Sequence, residues 1–405
     1  MTTAAGSHGF DTGEHRYCPF MPVFAPPSVM FERGRGTELW DSEGRRYLDF
    51  LAGIAVVSLG HSHPAVTAAL RRQSETLLHV SNFFANPVAT RAAAAINALV
   101  FETTGVEGQT FLCNSGAEAN EAALKLARKF GGRGRHTVVS ALGSFHGRTL
   151  ATLAATGQPA KHEPFAPMPE GFRHVPYGDA AALAAAVDDS VAAVLIETVQ
   201  GEGGVIPADR HYLQAVRSLC DERGALMMVD EVQTGLGRTG AWFGFQHGDV
   251  VPDVVTMAKA LGNGFPVGAC WAKRSVAEVF VPGDHGSTYS GTALAGAVVE
   301  TVLEELRRID APHLARTRGV RLRNSLESLD GVREVRGQGL LLAADLGPGR
   351  DAKAVNGELL NRGLVANAVN ATSLRFAPPL TVSESEIDEA VGIVAAVLAD
   401  GVGRS

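Results

Sequence analysis

The stretch Leu226-Met227-Met228-Val229-Asp230-Glu231 sets four apolar residues against two carboxylates. So short and unbroken an apolar run reads as a buried strand rather than one with a wet face. Its C-terminal end delivers Asp230 and Glu231 to the edge where open α/β sheets collect their ligands. Just upstream, a helix is expected from Asp209 to a stop at Gly224, with Leu213, Val216, Leu219 and Cys220 on one face. Similar apolar runs recur at Thr137–Ser140, Ala193–Ile196, Val254–Met257 and Ala269–Ala272, with helical patterns between them. That alternation predicts an α/β fold, a mostly parallel sheet flanked by helices.

Beyond about residue 310 the pattern changes. A helix, a strand pair near 332–346, another helix and a final strand at Leu374–Phe376 read as a smaller α+β region. Near the start, Thr37–Leu51 reads as a hairpin turning at Asp41-Ser42-Glu43-Gly44. The expected division is residues 1–60 as an N-terminal arm with part of the small domain, 61–305 as the large domain, and 306–405 as the C-terminal small domain. Residues 1–30, rich in Gly, Pro and Ala, are expected to run over the surface and to be mobile at the start.

Composition narrows the class. At 405 residues the chain is too long for one simple core. An excess of 43 acidic over 36 basic residues argues against a nucleic-acid surface. No stretch approaches the roughly 20 apolar residues of a membrane span, and the N-terminus lacks the basic start and apolar run of a secretory signal. Cys18, Cys113, Cys220 and Cys270 are scattered, without zinc-ligand spacing, so reduced thiols in a cytoplasmic protein and no metal are expected.

Two residues carry the first hint of chemistry. Lys259 follows an apolar strand and precedes a Gly-rich turn, in Thr256-Met257-Ala258-Lys259-Ala260-Leu261-Gly262. Burial there lowers an amine's pKa and frees it to form a Schiff base; the plainer alternative is a lysine reaching the surface from a strand end. Asp230 could hold a pyridine nitrogen protonated so that the ring serves as an electron sink, or be a solvated loop acid. A third segment, Phe111–Glu118, runs into a helix with Ala123, Leu126, Ala127 and Phe130 expected on its inner face. Its small residues would offer free backbone N–H groups to a phosphate.

The segments CNSGAEANEAALKLARKF (113–130), SFHGRTLATLAATGQ (144–158), VDEVQTGLGRTG (229–240) and TMAKALGNGFPVGA (256–269) together resemble the class III aminotransferases of the fold-type-I pyridoxal-phosphate group. Within that group the likeness is greatest to the acetylornithine aminotransferases of arginine biosynthesis, and it runs from about Pro22 to Val394.

The resemblance implies pyridoxal 5'-phosphate as cofactor. Lys259 would bond it and shuttle a proton, Asp230 would pair with the ring nitrogen, and Gln233 would meet the phenolic oxygen. Phe145 and Val232 would flank the ring, with Ser115, Gly116 and Ala117 on the phosphate. Thr288 would reach the phosphate of a partner subunit, which implies a homodimer with shared active sites. Arg375 and Arg148 resemble carboxylate clamps, and Glu202 resembles a gate over Arg375. Ser287, beside Thr288, is also expected at the substrate.

These implications lead to N2-acetyl-L-ornithine and 2-oxoglutarate as expected substrates in a ping-pong transfer. The rivals are another ω-aminotransferase, using ornithine, succinylornithine, 4-aminobutyrate or an acylated lysine; a nicotinamide-dependent oxidoreductase; and a catalytically dead binding module. Ile54 stands where ornithine aminotransferases carry a tyrosine, and an apolar residue there suits an acylated amine. Two departures from the family pattern are Thr198, where Pro is usual, and Ser290-Gly291-Thr292-Ala293, where Gly-Gly-Asn-Pro is usual. His61 and His63 are expected in a turn or helix start, and Arg133 and Arg135 in a solvated loop.

Overall fold

The computed structural model describes residues 20–404. The start of the expected surface arm, with Cys18, therefore lies outside the described residues, and Phe20–Ser28 is exposed. Among the described residues no helix is long and apolar enough to cross a membrane.

A seven-stranded sheet forms the central layer. Its strands lie in the order Gly108–Cys113, Gly268–Lys273, Val254–Met257, Leu226–Asp230, Val191–Glu197, Thr137–Ala141 and Phe172–Val175. Gly268–Lys273 is antiparallel to both neighbours, and the remaining pairings are parallel. Leu226–Asp230 sits at the centre with every residue buried. Its alternation divides the core: Met227 and Val229 pack with Leu213 and Val216, whereas Leu226 and Met228 pack with Leu124, Leu126 and Ala127. Each such side chain contributes about 1.5–3 kcal/mol by leaving water, so a polar residue at any of these positions would unseat a covering helix.

The helix Arg210–Arg223 starts where Asp209 accepts a hydrogen bond from the His211 N–H, and it ends at Gly224 in a left-handed conformation. Arg135 finishes that end by donating to the carbonyls of Arg223 and Gly224. It is thus a capping residue, not the solvated loop charge expected, because its partners arrive from almost 90 positions away. The helix Gly116–Gly131 buries Ala123, Leu126 and Ala127 as expected, but Phe130 is 39% exposed, near the end where the helix leaves the sheet.

The C-terminal region holds a four-stranded antiparallel sheet of Glu334–Gln338, Leu341–Asp345, Ser373–Phe376 and Asn367–Ala368. Helices Ala311–Glu327 and Ala352–Asn361 accompany it, with a third at Glu384–Ala399 that the sequence reading omitted. Ser383 and Glu386 form a capping box at its start, a signal present in the sequence. The hairpin Glu38–Asp41 and Arg46–Asp49 forms as expected, and Leu364–Val365 adds to it in parallel. Fully buried Arg238 links these regions by donating to the carbonyls of Leu340 and Pro378 and to Ser58 Oγ.

Candidate active site

Sheet register brings the chemistry together. Asp230 pairs with Glu197 on one side and Thr256 on the other, so three polar residues stand side by side at or one residue short of the ends of adjacent strands. Asp230 is buried, and its Oδ2 accepts from Asn120 Nδ2 at 2.8 Å and His146 Nδ1 at 2.9 Å. Its Oδ1 accepts from the Val232 N–H at 3.0 Å. Asn120 also donates to the His146 carbonyl and accepts from Thr256 Oγ1 at 2.7 Å. The carboxylate is therefore locked by three donors, with its neighbours locked in turn. Sequence reading missed Asn120 and His146; the available signal was one polar residue, Asn120, on an otherwise apolar helix face.

Lys259 follows three residues after Thr256, in a short 3-10 turn, with φ of 42°. A left-handed lysine costs about 1–2 kcal/mol of backbone strain, and here that conformation puts the side chain back toward the strand ends. Burial depresses its amine to about 8, helped by the Arg375 charge and opposed by Asp230, Glu202 and Glu197. An amine so poised exists in both protonation states near neutrality.

Ser115 caps the helix Gly116–Gly131 through its Oγ, which accepts the Glu118 N–H at 3.1 Å. The N–H groups of Gly116 and Ala117 have no acceptor among the described residues, so the helix start is open to an anion. Gly116 must lack a side chain, because a Cβ there would stand 2.9 Å from Val232 Cγ1. Val232 is thereby pressed against the start of that helix. Asn114, just before it, donates to Ser287 Oγ at 3.2 Å, while Thr288 is exposed.

The Phe145 N–H donates to Glu197 Oε2 at 3.1 Å. Burial, reinforced by nearby Asp230, pushes the Glu197 carboxyl well above the usual range. Two cations lie over the Phe145 ring: the Arg148 guanidinium at 5.6 Å from its centroid and the Lys161 ammonium at 5.3 Å. Gln233 is pressed onto Gly201, and its Oε1 is buried without a partner among the described residues.

These groups fit pyridoxal 5'-phosphate. A free amine, a fixed carboxylate, a side-chain amide and two open backbone N–H groups would match its aldehyde, ring nitrogen, phenolic oxygen and phosphate. Phe145 and Val232 could flank the ring.

Arg375 Nη1 donates to Glu202 Oε1 at 2.8 Å, and its Nε donates to Asn367 Oδ1 at 2.9 Å. The arginine is only 1% exposed, held from within the C-terminal sheet. Burial pushes Glu202 up, but the Arg375 pair outweighs it and holds the carboxyl below its usual value. Ile54 lies in a left-handed turn spanning Ala52, Gly53, Ile54 and Ala55. Ala55 packs with Val199 and Val205, which flank Glu202 in the chain, with Ala377, two residues after Arg375, and with Ala343, the cross-strand partner of Arg375. Asp49 anchors that turn by accepting from the Leu51 and Ala52 N–H groups, and His61 Nε2 donates to its other oxygen at 2.7 Å.

The departures from pattern are structural in place. Thr198 is buried against Gly244, Ser290 Oγ accepts from Asn82 Nδ2 and donates to the Ser287 carbonyl, and Thr292 caps the helix Ala293–Arg308. His63 occupies the N-cap position of the helix Pro64–Ser74 and lies 3.8 Å from Glu305.

Comparison with known proteins bears on the family and the fold. The family model "Aminotransferase class-III" matches residues 22–398. The chain is 46% identical to the acetylornithine aminotransferase of Caldanaerobacter subterraneus subsp. tengcongensis, over 96% of this chain and 99% of that protein. It is 47% identical to the enzyme of the same name from Gloeobacter violaceus, over 94% and 95%. Among solved structures, ornithine aminotransferase from Toxoplasma gondii superposes with a TM-score of 0.88 at 34% identity, covering 94% of this chain and 93% of that one. N-acetylornithine aminotransferase from Stenotrophomonas maltophilia gives 0.80 at 36% identity, covering 93% and 97%. Motif, fold and match run over nearly the whole described chain, and the chain belongs to the class III aminotransferases.

Proposed function

We propose that this chain transfers the terminal amino group of N2-acetyl-L-ornithine to 2-oxoglutarate, giving N-acetylglutamate 5-semialdehyde and glutamate, a step of arginine biosynthesis in the cytoplasm. The observation that carries the reading is the Glu202–Arg375 pair, together with an Arg148 that has no acidic partner among the described residues.

Bound pyridoxal 5'-phosphate supplies an electron sink that stabilises negative charge on the carbon bearing the transferred nitrogen. The chain does the rest. Asp230, fixed by His146, Asn120 and the Val232 N–H, keeps a negative charge facing the ring nitrogen. Gly116, Ala117 and Ser115 seat the phosphate, and Gln233 meets the phenolic oxygen. Lys259 Nζ takes the proton from the donor's terminal carbon, a task its depressed pKa of about 8 suits.

Glu202 makes the site serve two shapes of substrate. While it covers Arg375, the donor enters amine first and rests its α-carboxylate on Arg148. When it swings away, 2-oxoglutarate engages both arginines. Ornithine is the second reading, favoured by the close superposition on an ornithine aminotransferase. Apolar Ile54, next in the chain to an Ala55 that packs with Val199 and Val205 on either side of Glu202, supports the acylated donor instead.

We assign the working form to a homodimer in which Thr288 completes the partner's phosphate site. Exposed Phe83, Phe84 and Tyr289 near Thr288 support a second copy there. The parallel pairing of Leu364–Val365 with Arg46–Asp49 supports grouping residues 1–60 with 306–405 around the large domain, 61–305.

The test is to mix the purified yellow protein with N-acetylornithine alone and follow the cofactor's visible band. Rapid loss of the band, much slower with ornithine or 4-aminobutyrate, is the expected result. Loss with another amine only would replace the donor.

A further inference from the structure

Arg148 and Lys161 come from different segments, the loop after Phe145 and the short helix Pro159–His162, yet converge on one aromatic ring. Neither is in an ion pair among the described residues, although 22 such pairs are present, most of them on the surface. Two cations brought this close repel each other unless an anion joins them. Glu202, the acid whose charge acts on Lys161, is already engaged by Arg375. Lys161 is half-buried, and its amine is held below its usual value by burial first, then by the Arg148 charge, with Glu202 opposing. The Phe145 ring therefore carries two cations that no acid among the described residues pairs with.

We propose that Lys161 is a substrate-binding residue that joins Arg148 in a two-cation clamp for the carboxylate distal to the reacting carbon. In the donor this is the α-carboxylate of the acylated amino acid; in the keto acid it is the far carboxylate of the dicarboxylate. The inference rests on the aminotransferase reading above and adds a contact to it. Its consequence differs from that of the gate. Arg375 serves one half-reaction, whereas a clamp for the distal carboxylate serves both, so Lys161 acts on KM for donor and acceptor alike. A lysine that merely braced the Phe145 ring would instead change stability and kcat.

The experiment uses the cofactor-loaded enzyme with glutarate, a five-carbon dicarboxylate that cannot react, as the calorimetric probe. Lys161→Met should weaken glutarate about tenfold, the size of one charge-assisted contact. It should raise KM for N-acetylornithine and for 2-oxoglutarate by similar factors, with kcat nearly unchanged. Lys161→Arg should restore affinity to within about threefold, since it keeps the charge. Lys161→Gln, close in length and polar, guards against a packing defect in the Met variant, and melting midpoints are recorded for all three. Wild-type glutarate affinity in both Lys161→Met and Lys161→Gln overturns the clamp, as does a KM effect confined to one substrate or a loss confined to kcat and melting. Should the wild-type chain not accept N-acetylornithine while Lys161→Met still weakens glutarate, the donor assignment falls and the clamp stands.

Discussion

Arg375 Nη1 lies 2.8 Å from Glu202 Oε1, so the most buried arginine of the site is already neutralised by a loop carboxylate before any substrate arrives. The pair predicts asymmetric kinetics. Arg375→Ala should cost the 2-oxoglutarate half-reaction about 2–5 kcal/mol in kcat/KM, the usual loss on removing one member of a buried charged contact. The donor half should suffer much less, because Glu202 hides the arginine in that state. Single-turnover rates for each half measure this, and equal small effects would rule out the gate.

Lys259 should report its surroundings through pH. Its amine in the folded chain titrates near 8 against an ordinary value of 10.5. Between those values the unfolded chain binds a proton that the folded chain does not, so stability of the cofactor-free protein should rise with pH across that window. Lys259→Met should flatten this rise, abolish a borohydride-reducible bond to the cofactor, and remove turnover. Denaturant melts from pH 7 to 11 measure the first effect.

His146 is predicted to be a positioning residue. Its Nδ1 donates to Asp230 while its backbone carbonyl holds Asn120, so it fixes the carboxylate from two directions. His146→Ala leaves a buried carboxylate short of a donor, worth about 1–3 kcal/mol. The expected result is a lower kcat with substrate KM little altered, and a shifted visible band of the bound cofactor as the charge near its ring nitrogen loosens. An unchanged spectrum would remove His146 from this role.

What could be read in advance depended on how far away each residue's partner lies. Strand Leu226–Asp230 and helix Arg210–Arg223 were legible because apolar period, Asp209 and Gly224 are local signals. Lys259, Asp230, Arg375 and Glu202 could be named from their motifs, and the structure brings Arg375 to Glu202 across 173 positions. Arg135, by contrast, gains its purpose from the end of a helix far along the chain. The left-handed turn at Ala52–Ala55 was likewise hidden, because apart from Gly53 its residues avoid that conformation and it is held by Asp49 with the help of His61. Lys161 escaped notice because no short-range pattern ties it to Phe145.

Arg238 tests how the two regions are joined. It is fully buried without an acidic partner among the described residues, and burial lowers its guanidinium to about 9. Its worth lies in three acceptors, Leu340 O, Pro378 O and Ser58 Oγ, which would be stranded without it. Arg238→Ala should therefore destabilise the protein by about 3 kcal/mol or more, at 1–3 kcal/mol for each buried group left unmatched. Arg238→Lys should not recover this, because a single ammonium lacks the planar fork that spans three acceptors. Chemical denaturation measures both.

Exposed aromatic side chains around Thr288 mark where a second copy would dock. Phe83 is 93% exposed and Phe84 68%, with Tyr289 at 62% and Leu78 at 54% nearby in the chain or across the loop. Asn82 ties the two segments by donating to the Ser287 carbonyl and to Ser290 Oγ, so the apolar residues and Thr288 belong to one surface. Covering each phenylalanine contributes about 1.5–3 kcal/mol, and an acidic residue in its place would be stranded in a dry interface. Phe83→Asp with Phe84→Asp should therefore yield a monomer by light scattering. If Thr288 completes the partner's phosphate site, that monomer should also hold pyridoxal phosphate more weakly while its Asp230 and Lys259 are untouched. A double variant that stays dimeric would move the interface elsewhere, and a monomer with full cofactor affinity would show that each chain completes its own phosphate seat.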